Sequence, residues 1–328
     1  MFEFDFDHTD FRSLLKDLAG QLGVELQSDT LYFKPDQGEG YIHAFNLPNG
    51  LSVLISSNCL EFDSYLHRRF NPELYYILNF DEIYIKSQYT EIINRNRSQY
   101  PPPVFSGACL NTTFFDKITF STKGNGMRLI KCLFNAEWMS KFLGIKKNDE
   151  VLLRYLSLRA RNLNFEPMDA EYRMLVNDIF NTDPENPLFA TITENRIMLL
   201  IELFFTRIYK RSGDLRLLKF NEKDIYRLME IESNLVHDFT KAPLTVEEIA
   251  DKYAIGVSKL KRQFKQIYGK PLYEYYQKYR MEKAKHLLLS GQYTVKEVGY
   301  SLGYQNLSNF ASAFKKEFGA LPSELTKS

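Results

Sequence analysis

The chain has 328 residues, and its 42 Lys and Arg against 41 Asp and Glu leave a formal charge of +1. This length predicts two domains, and the absence of any run of 18 apolar residues, together with the acidic start MFEFDFDHTD, predicts neither a membrane span nor a secretory signal. The cysteines (Cys59, Cys109 and Cys132) are too few and too scattered for a disulfide framework or a zinc cage, which indicates a reducing, cytoplasmic compartment.

The first part of the chain has the sequence pattern of a β-rich domain. A helix is predicted over residues 10–21, where apolar residues recur at helical spacing and Thr9 or Asp10 is the N-cap. Short runs rich in Tyr, Phe, Ile and Val then alternate with turn residues, as strands do. The strands are predicted over residues 41–47, 51–56, 73–80, 116–121 and 127–134. Several strands at this spacing predict a small cupin-like barrel or jelly-roll sandwich.

After residue 134 the apolar spacing becomes helical. Asn135 caps a predicted helix over residues 136–143, which Gly144 ends. Further helices are predicted over residues 149–158, 169–180, 194–211 and 221–238. The run IMLLIELFFTRIY at residues 197–209 is apolar nearly all round. It is therefore predicted to be buried, either in a core or at the seam of a homodimer.

The C-terminal part of the chain contains a duplicated segment. Residues 244–269 recur as residues 293–319, and each copy predicts a helix, a turn and a second helix. Each copy begins with a capping box, TVEE in the first and TVKE in the second. In a capping box the Thr side chain accepts the backbone N–H of the Glu, and the Glu side chain accepts the backbone N–H of the Thr. In the second copy, Gly299 and Gly303 allow a close approach and a tight turn.

Positive charge is concentrated in the same part of the chain. Residues 241–328 hold 15 Lys and Arg against 8 Asp and Glu, a net charge of +7, whereas the rest of the chain carries −6. A helix-turn-helix places its second helix in the major groove of DNA. Two such units on one chain could bind successive stretches of the major groove that lie about one helical turn, roughly 34 Å, apart. The repeat and the charge together predict a DNA-binding module.

These repeated segments resemble the DNA-binding domain of the AraC/XylS family of bacterial transcription regulators. The resemblance is carried by LTVEEIA, by LKRQFKQIYG, by Arg280, Ala284 and the Leu287-Leu288 pair of the linking helix, and by YTVKEVGYSLGYQNLSNFASAFKKEFGALPSEL. It implies binding to double-stranded promoter DNA, modulation by a small-molecule effector, and activation through contacts to RNA polymerase. The β-rich part is compatible with the effector-binding and dimerisation domain that is usual in this family.

The resemblance also implies contacts, position by position. Base contacts are implied for Ser258, Lys261, Arg262, Leu307, Ser308, Asn309 and Ser312, and phosphate contacts for Lys259, Lys265, Lys315 and Lys316. Gly256 stands where the family commonly has a capping Ser, and Ser312 stands where it often has Arg. Because a bidentate Arg–guanine contact is worth roughly 1–3 kcal/mol, we expect the first unit to read sequence and the second mainly to position the protein.

An effector pocket is predicted in the β-rich part. It comprises the aromatic side chains Tyr41, Phe45, Tyr75, Tyr76 and Phe80, with Arg68, Arg69 and Lys86 available to an anionic ligand. The alternative is that the aromatic residues simply fill the barrel. His43 and His67 lie in the same part without a His-x-His pair and a nearby acid, so no metal site and no cofactor are predicted.

The predicted fold class is α+β. A β-rich cupin-like or jelly-roll domain is predicted over residues 1–145, a helical connector or dimerisation region over 146–238, and an all-α double helix-turn-helix domain over 239–328. The predicted function is an effector-responsive transcription regulator and not an enzyme. Two alternatives stay open, a cupin-like metal-dependent enzyme with a DNA-binding tail and a dimeric regulator that senses no ligand.

Overall fold

The computed structural model describes residues 1–93, 96–159, 166–183, 186–211, 222–241 and 243–325. The chain forms two compact units. The first, called the sheet unit, comprises Met1–Met168 and Tyr172–Glu222, and the second, called the helical unit, comprises Asp169–Glu171 and Lys223–Ser328. The predicted α+β class is confirmed, and the predicted boundaries at residues 145 and 238 stay predictions.

The sheet unit contains two β-sheets. Its strands are β1 (Phe2–Phe6), β2 (Thr30–Tyr32), β3 (Gly38–Asn46), β4 (Ser52–Leu60), β5 (Ser64–Arg68), β6 (Tyr75–Tyr84), β7 (Tyr89–Ile93), β8 (Asn96–Tyr100), β9 (Val104–Thr112), β10 (Lys117–Ser121), β11 (Gly126–Asn135) and β12 (Glu166–Pro167). A seven-stranded antiparallel sheet has the order β12-β9-β6-β11-β4-β3-β2. A five-stranded sheet has the order β1-β5-β10-β7-β8, in which β1 and β5 are parallel.

The helices of the sheet unit begin and end at residues that suit those positions. They are α1 (Phe11–Leu22), α2 (Ala136–Leu143), α3 (Glu150–Arg159), α4 (Ala170–Asn181) and α5 (Phe189–Arg211). The carboxylate of Asp10, rather than Thr9, caps α1 by accepting the backbone N–H groups of Arg12 and Ser13. Asn135 caps α2, and Gly144 ends it in the left-handed conformation.

Both faces of the seven-stranded sheet are covered. On one face Leu78 and Phe80 belong to a core that also contains residues of α5, so the run at 197–209 packs one face into the sheet unit while Leu199 is exposed. On the other face Leu54 and Ile77 belong to a second core together with Leu15 of α1. Within the described residues, none of the helices combines the length and the apolar character needed to cross a bilayer.

The predicted elements of the sheet unit are confirmed, and the sequence missed others. The five predicted strands coincide with β3, β4, β6, β10 and β11, and the predicted helices coincide with α1 to α5, although α5 begins at Phe189 rather than 194. The strands that the sequence did not predict are β1, β2, β5, β7, β8, β9 and β12. Two sheets in the N-terminal part confirm the predicted β-rich architecture.

The helical unit is built from short helices around a long one. Its helices are α6 (Glu222–His237), α7 (Val246–Lys252), α8 (Val257–Tyr268), α9 (Leu272–Leu289), α10 (Val295–Ser301), α11 (Leu307–Phe318) and α12 (Pro322–Leu325). Helices α8, α10 and α11 each pack on α9. One core lies between α9, α10 and α11, where Met281, Ala284, Val298, Phe310 and Phe314 are buried. The linking helix therefore supports both copies of the repeat.

Candidate nucleic-acid interface

Each copy of the repeat is a helix-turn-helix whose first helix has a complete capping box. In α7 the side chain of Glu248 accepts the backbone N–H of Thr245 at 2.8 Å, and the Thr245 hydroxyl accepts the N–H of Glu248 at 3.2 Å. The equivalent distances at α10, between Thr294 and Glu297, are also 2.8 and 3.2 Å. Both predicted capping boxes are confirmed.

The capping boxes also set the charge at these helix N-termini. Hydrogen bonds from the backbone and hydroxyl of Thr245 lower the pKa of Glu248, and the same groups of Thr294 lower the pKa of Glu297. Each carboxylate therefore stays ionised beside the positive end of its helix dipole at neutral pH. Because both carboxylates are fully exposed, this arrangement fixes where α7 and α10 begin more than it adds stability.

Each of the two turns contains one residue in the left-handed conformation. Ala254 has φ +46° in the first turn, and Gly303 has φ +75° at the equivalent position of the second. Arg280 of α9 holds the second turn, because its Nε donates to the carbonyl oxygen of Leu302 at 2.8 Å and its guanidinium lies 3.9 Å from the ring centroid of Tyr304. A rigid turn fixes the direction in which α11 projects.

Helix α8 separates an apolar inner face from a basic outer face. Leu260, Phe264 and Ile267 are buried. The predicted base-contacting residues Ser258, Lys261 and Arg262 and the predicted phosphate-contacting Lys265 are all exposed. Gly256 is the N-cap and contributes no side-chain hydrogen bond, as its identity implies. These four polar side chains lie on the solvent side of the second helix of a helix-turn-helix, where side chains reach DNA.

Lys259, a predicted phosphate contact, is engaged within the protein. Its Nζ lies 2.8 Å from Oδ2 of Asp224 on α6, and the same oxygen accepts from Nε2 of the buried Gln263 at 3.1 Å. Burial raises the pKa of Asp224, but the hydrogen bonds from Lys259 and Gln263 outweigh it and hold the pKa below its ordinary value. The sequence did not predict this contact, because Asp224 lies 35 residues from Lys259 and outside the repeat.

Helix α11 presents the second polar face. The side chain of Asn306 caps it by accepting the N–H groups of Ser308 and Asn309. The exposed predicted contacts on this helix are Ser308, Asn309, Ser312, Lys315 and Lys316. Leu307 is different, because it is half-buried and its Cδ2 lies against Gly299, 2.6 Å from where a Cβ on that glycine would be. Gly299 thus permits the close approach of α10 and α11 that the sequence predicted.

A comparison with known families agrees with this geometry. A family model for a helix-turn-helix domain matches residues 249–328. The HTH-type transcriptional activator RhaS of Escherichia fergusonii is 31% identical over 124 residues, which are 38% of this chain and 44% of that protein. The C-terminal part of the chain is an AraC-type helix-turn-helix domain. The predicted resemblance is confirmed for this domain.

Further relatives match the AraC-type domain. The HTH-type transcriptional regulator ArgR of Pseudomonas aeruginosa is 32% identical over 82 residues, 25% of each chain. Among solved structures, the C-terminal domain of AraT from Geobacillus stearothermophilus is 30% identical, with a TM-score of 0.29, and the match covers 31% of this chain and 84% of that one. The chain spans less than half the length of the curated relatives named here.

The residues of the predicted effector pocket are not brought together around one cavity. Tyr76 is buried in the core beneath the helices, and Tyr41 and Phe45 pack against the same core. Tyr75 packs against the core beside α1. Arg69 is exposed and pairs with Asp5 at 2.7 Å, and Lys86 is exposed. Phe80 is buried in the same core as Tyr76, and Arg68 lies on β5, so the predicted pocket as a whole stays a prediction.

The two histidines of the β-rich part belong to different sheets. His43 on β3 shares a 2.8 Å hydrogen bond with the hydroxyl of Thr30, and His67 on β5 shares one of 3.1 Å with Asp5. Among the described residues no group of three or more His, Cys, Asp or Glu side chains is arranged to hold a metal ion. Cys109 and Cys132 are buried thiols, and burial raises the pKa of Cys132.

Proposed function

We propose that this protein is a sequence-specific DNA-binding transcription regulator rather than an enzyme, and that it acts in the bacterial cytoplasm. The observation that carries the proposal is the pair of solvent-exposed helices α8 and α11, each held by a capped helix and each with lysines on its outer face. The net charge of +7 over residues 241–328 favours approach to a polyanion. The names of the relatives, a transcriptional activator and a transcriptional regulator, support it.

The proposed division of labour follows the side chains. Arg262 offers a guanidinium for a bidentate contact to guanine, whereas Ser308, Asn309 and Ser312 offer shorter polar groups. Lys265, Lys315 and Lys316 contact phosphates, which sets affinity and register without reading sequence. Helix α8 is therefore the main reader of the site, and α11 mainly positions the protein.

We further propose regulation by an effector bound in the sheet unit, activation through RNA polymerase, and a homodimer. RhaS is named as an activator, which favours activation here. The sheet unit holds 25 Lys and Arg against 27 Asp and Glu, a net charge of −2, so it lacks the positive charge that favours DNA contact and we assign it to sensing and assembly. Since α5 is buried within the sheet unit, a dimer would use other surfaces or the exposed edge of that helix at Leu199.

The test of DNA recognition uses the full-length protein and two labelled duplexes, one from upstream of its own gene and one with the same bases scrambled. We expect affinity to fall steeply with salt for both duplexes, because counterions are released on binding, and we expect a clear preference for the upstream duplex. Equal binding to both duplexes at every salt concentration would reject sequence-specific regulation.

Single substitutions distinguish the residues that read bases from those that position the protein on DNA. Arg262→Ala is expected to reduce discrimination between the duplexes by roughly 5- to 150-fold, equivalent to about 1–3 kcal/mol. Lys265→Ala is expected to weaken both complexes alike and to reduce the salt slope by about 1. Lys147→Ala, an exposed lysine of the sheet unit, is the matched control and leaves both affinities unchanged. If Arg262→Ala and Ser308→Ala relax specificity equally, the division of labour between α8 and α11 is wrong.

A further inference from the structure

The space between the two sheets is lined partly by polar side chains. On β6, Asn79 and Asp81 face this space, whereas Leu78 and Phe80 belong to the core on the opposite face of the same sheet. Lys131 on the neighbouring strand β11 also lines it. The interior of a two-sheet sandwich is normally filled by apolar side chains, so amide and charged groups at these positions need a physical reason.

A cavity of about 170 Å³ occupies this space. Its wall on the side of β1 and α1 is apolar and includes Phe4, Phe11 and Leu18. The strands β5 and β10 contribute charged groups, Arg68 and Lys117. An apolar cavity of about 150 Å³ is large enough to hold benzene, so this cavity has room for a molecule of about that size.

Cations outnumber carboxylates around the cavity. Arg68 and Lys117 lie directly opposite each other in the antiparallel pair of β5 and β10, and Lys131 lines the cavity from the other sheet. Lys117 forms an ion pair with Glu91. Burial lowers the pKa of Lys131, and Asp81 opposes that effect. The described lining residues therefore include three cations and one carboxylate, Asp81, while Glu91 and Asp116, which interact with Lys117 and Arg68, lie outside that lining.

Among the described residues, the guanidinium of Arg68 has a nitrogen, Nη1, that donates no hydrogen bond. Its side chain is 6% exposed, and its Nη2 donates to the carbonyl oxygens of Thr112 at 2.9 Å and Phe115 at 3.1 Å. Its Nη1 has no hydrogen-bond partner within the part of the chain that the structure describes, and the same holds for Oδ1 of Asn58, another lining residue. Burial lowers the pKa of Arg68 to about 10, opposed by Asp116, so the guanidinium is charged at neutral pH.

An unfilled, charged donor in a buried wall is costly by itself. A buried donor without a partner costs about 1–3 kcal/mol, and a charged one costs more. An anionic oxygen at Nη1 would remove that cost, because charge-assisted hydrogen bonds are roughly twice as strong as neutral ones. The adjoining apolar wall favours a ligand that also buries hydrocarbon.

We infer that this cavity binds a small organic anion with an apolar body, such as a monocarboxylate little larger than benzene. Its carboxylate lies on Arg68, supported by Lys131, and its hydrocarbon lies against Phe4 and Phe11. The role of this ligand as the effector rests on the proposed regulatory function, whereas its binding does not. Of the residues predicted from the sequence as an effector pocket, Arg68 lines this cavity, and the other seven are not among its described lining residues.

The test is isothermal titration calorimetry of the full-length protein without DNA. The probes are phenylacetate, hexanoate, acetate, phenylacetamide and 2-phenylethylamine. We expect one phenylacetate or hexanoate per chain, bound roughly tenfold or more tightly than phenylacetamide, which lacks the charge, and than acetate, which lacks the apolar body. The amine, of opposite charge, is expected not to bind.

Variants locate the site. Arg68→Met and Lys131→Met are each expected to weaken the better carboxylate by roughly tenfold or more. Lys16→Met, which removes an exposed cation from the outer face of α1, is the matched control and leaves binding unchanged. Arg69→Met is a second control and is expected to leave binding unchanged, because Arg69 neighbours Arg68 but its side chain is exposed and pairs with Asp5. Circular dichroism checks that each variant is folded.

Three results would overturn the inference. These are affinity weaker than about 1 mM for both phenylacetate and hexanoate, equal binding of acid and amide, and unchanged carboxylate binding in both Arg68→Met and Lys131→Met. The comparison of probes on the unaltered protein stands even if a variant fails to fold. Because the titrations contain no DNA, a failure of carboxylate binding is distinct from a failure of DNA recognition.

Discussion

At the scale of single residues, the two helix-turn-helix copies differ in how they accommodate a left-handed turn. Gly303 has no Cβ, whereas Ala254 holds φ +46° with one. For an L-residue this conformation costs roughly 1–2 kcal/mol, and glycine avoids that cost but loses about 0.5–1 kcal/mol in chain entropy on folding. The first copy therefore carries a strain that the second does not.

Ala254→Gly is expected to raise the free energy of opening of α7 and α8 by up to about 1 kcal/mol. Amide hydrogen exchange of the full-length protein measures this, since it reports each helix separately. Ala250→Gly is the matched control, because the same exchange in the helical conformation of α7 is expected to destabilise by about 1 kcal/mol. Faster exchange in Ala254→Gly would show that the turn is not strained.

The opposite change, Gly303→Ala, is expected to destabilise α10 and α11. A Cβ at this position would lie 2.5 Å from the carbonyl oxygen of Thr240 and 2.7 Å from that of Phe239, and both are backbone atoms that cannot rotate away. The turn at Gly303 was predictable because glycine adopts the left-handed conformation readily and is typical of turns. The left-handed conformation of Ala254 was not, since alanine gives no such signal.

At the scale of elements, the sequence predicted those whose ends carry local signals. Asn135 and Gly144 bound α2 because an Asn side chain caps an N-terminus and glycine adopts the left-handed C-cap, and both signals are local. The strands that it missed include β1, β5, β7 and β8 of the five-stranded sheet, each five residues long. Strand β1 pairs with β5, which begins 62 residues further along the chain. Such pairing depends on distant partners that no local pattern reveals.

Apart from Arg68, the lining of the cavity was missed for a related reason. The alternation of β6, with Asn79 and Asp81 on one face and Leu78 and Phe80 on the other, is visible in the sequence. Alternation of this kind ordinarily places the polar residues in solvent. Here helices cover the apolar face and the five-stranded sheet covers the polar one, so the polar side chains are enclosed. Only the tertiary structure shows that the polar face of β6 is enclosed by the second sheet rather than exposed to solvent.

The contact between α6 and α8 is predicted to restrain DNA binding. Asp224 holds Lys259 of the proposed DNA-contacting face through a 2.8 Å ion pair. Asp224→Asn removes the competing carboxylate, keeps a side chain that still accepts from Gln263, and raises the net charge by one. We expect severalfold tighter binding to both duplexes at low salt and a steeper salt slope. Fluorescence anisotropy across a salt series measures both quantities.

A double-mutant cycle tells whether Lys259 carries this effect. In the background Lys259→Ala, Asp224→Asn is expected to change affinity by much less than in the unaltered protein, because the lysine that it would release is absent. An equal gain in both backgrounds would mean that the added net charge alone is responsible, and that Lys259 is not a phosphate contact.

At the scale of the whole molecule, the two proposals combine into a thermodynamic statement. If a carboxylate in the sheet unit alters DNA affinity by some factor, bound DNA must alter carboxylate affinity by the same factor. The charge distribution makes such coupling useful, since the DNA-binding end carries +7 and binds phosphates at some level whatever the sequence. Regulation then requires that the effector favour the DNA-competent state.

We expect saturating phenylacetate or hexanoate, whichever binds better, to tighten binding of the full-length protein to the upstream duplex by about 5- to 150-fold. Titration of the same carboxylate into the preformed DNA complex must then show an equal gain, and Arg68→Met is expected to abolish both responses. Carboxylate binding that leaves DNA affinity unchanged would separate the cavity from regulation while leaving each binding site intact. Unequal factors would show that the two titrations start from different states, most simply a change in assembly, because equilibrium linkage between fixed states allows no asymmetry.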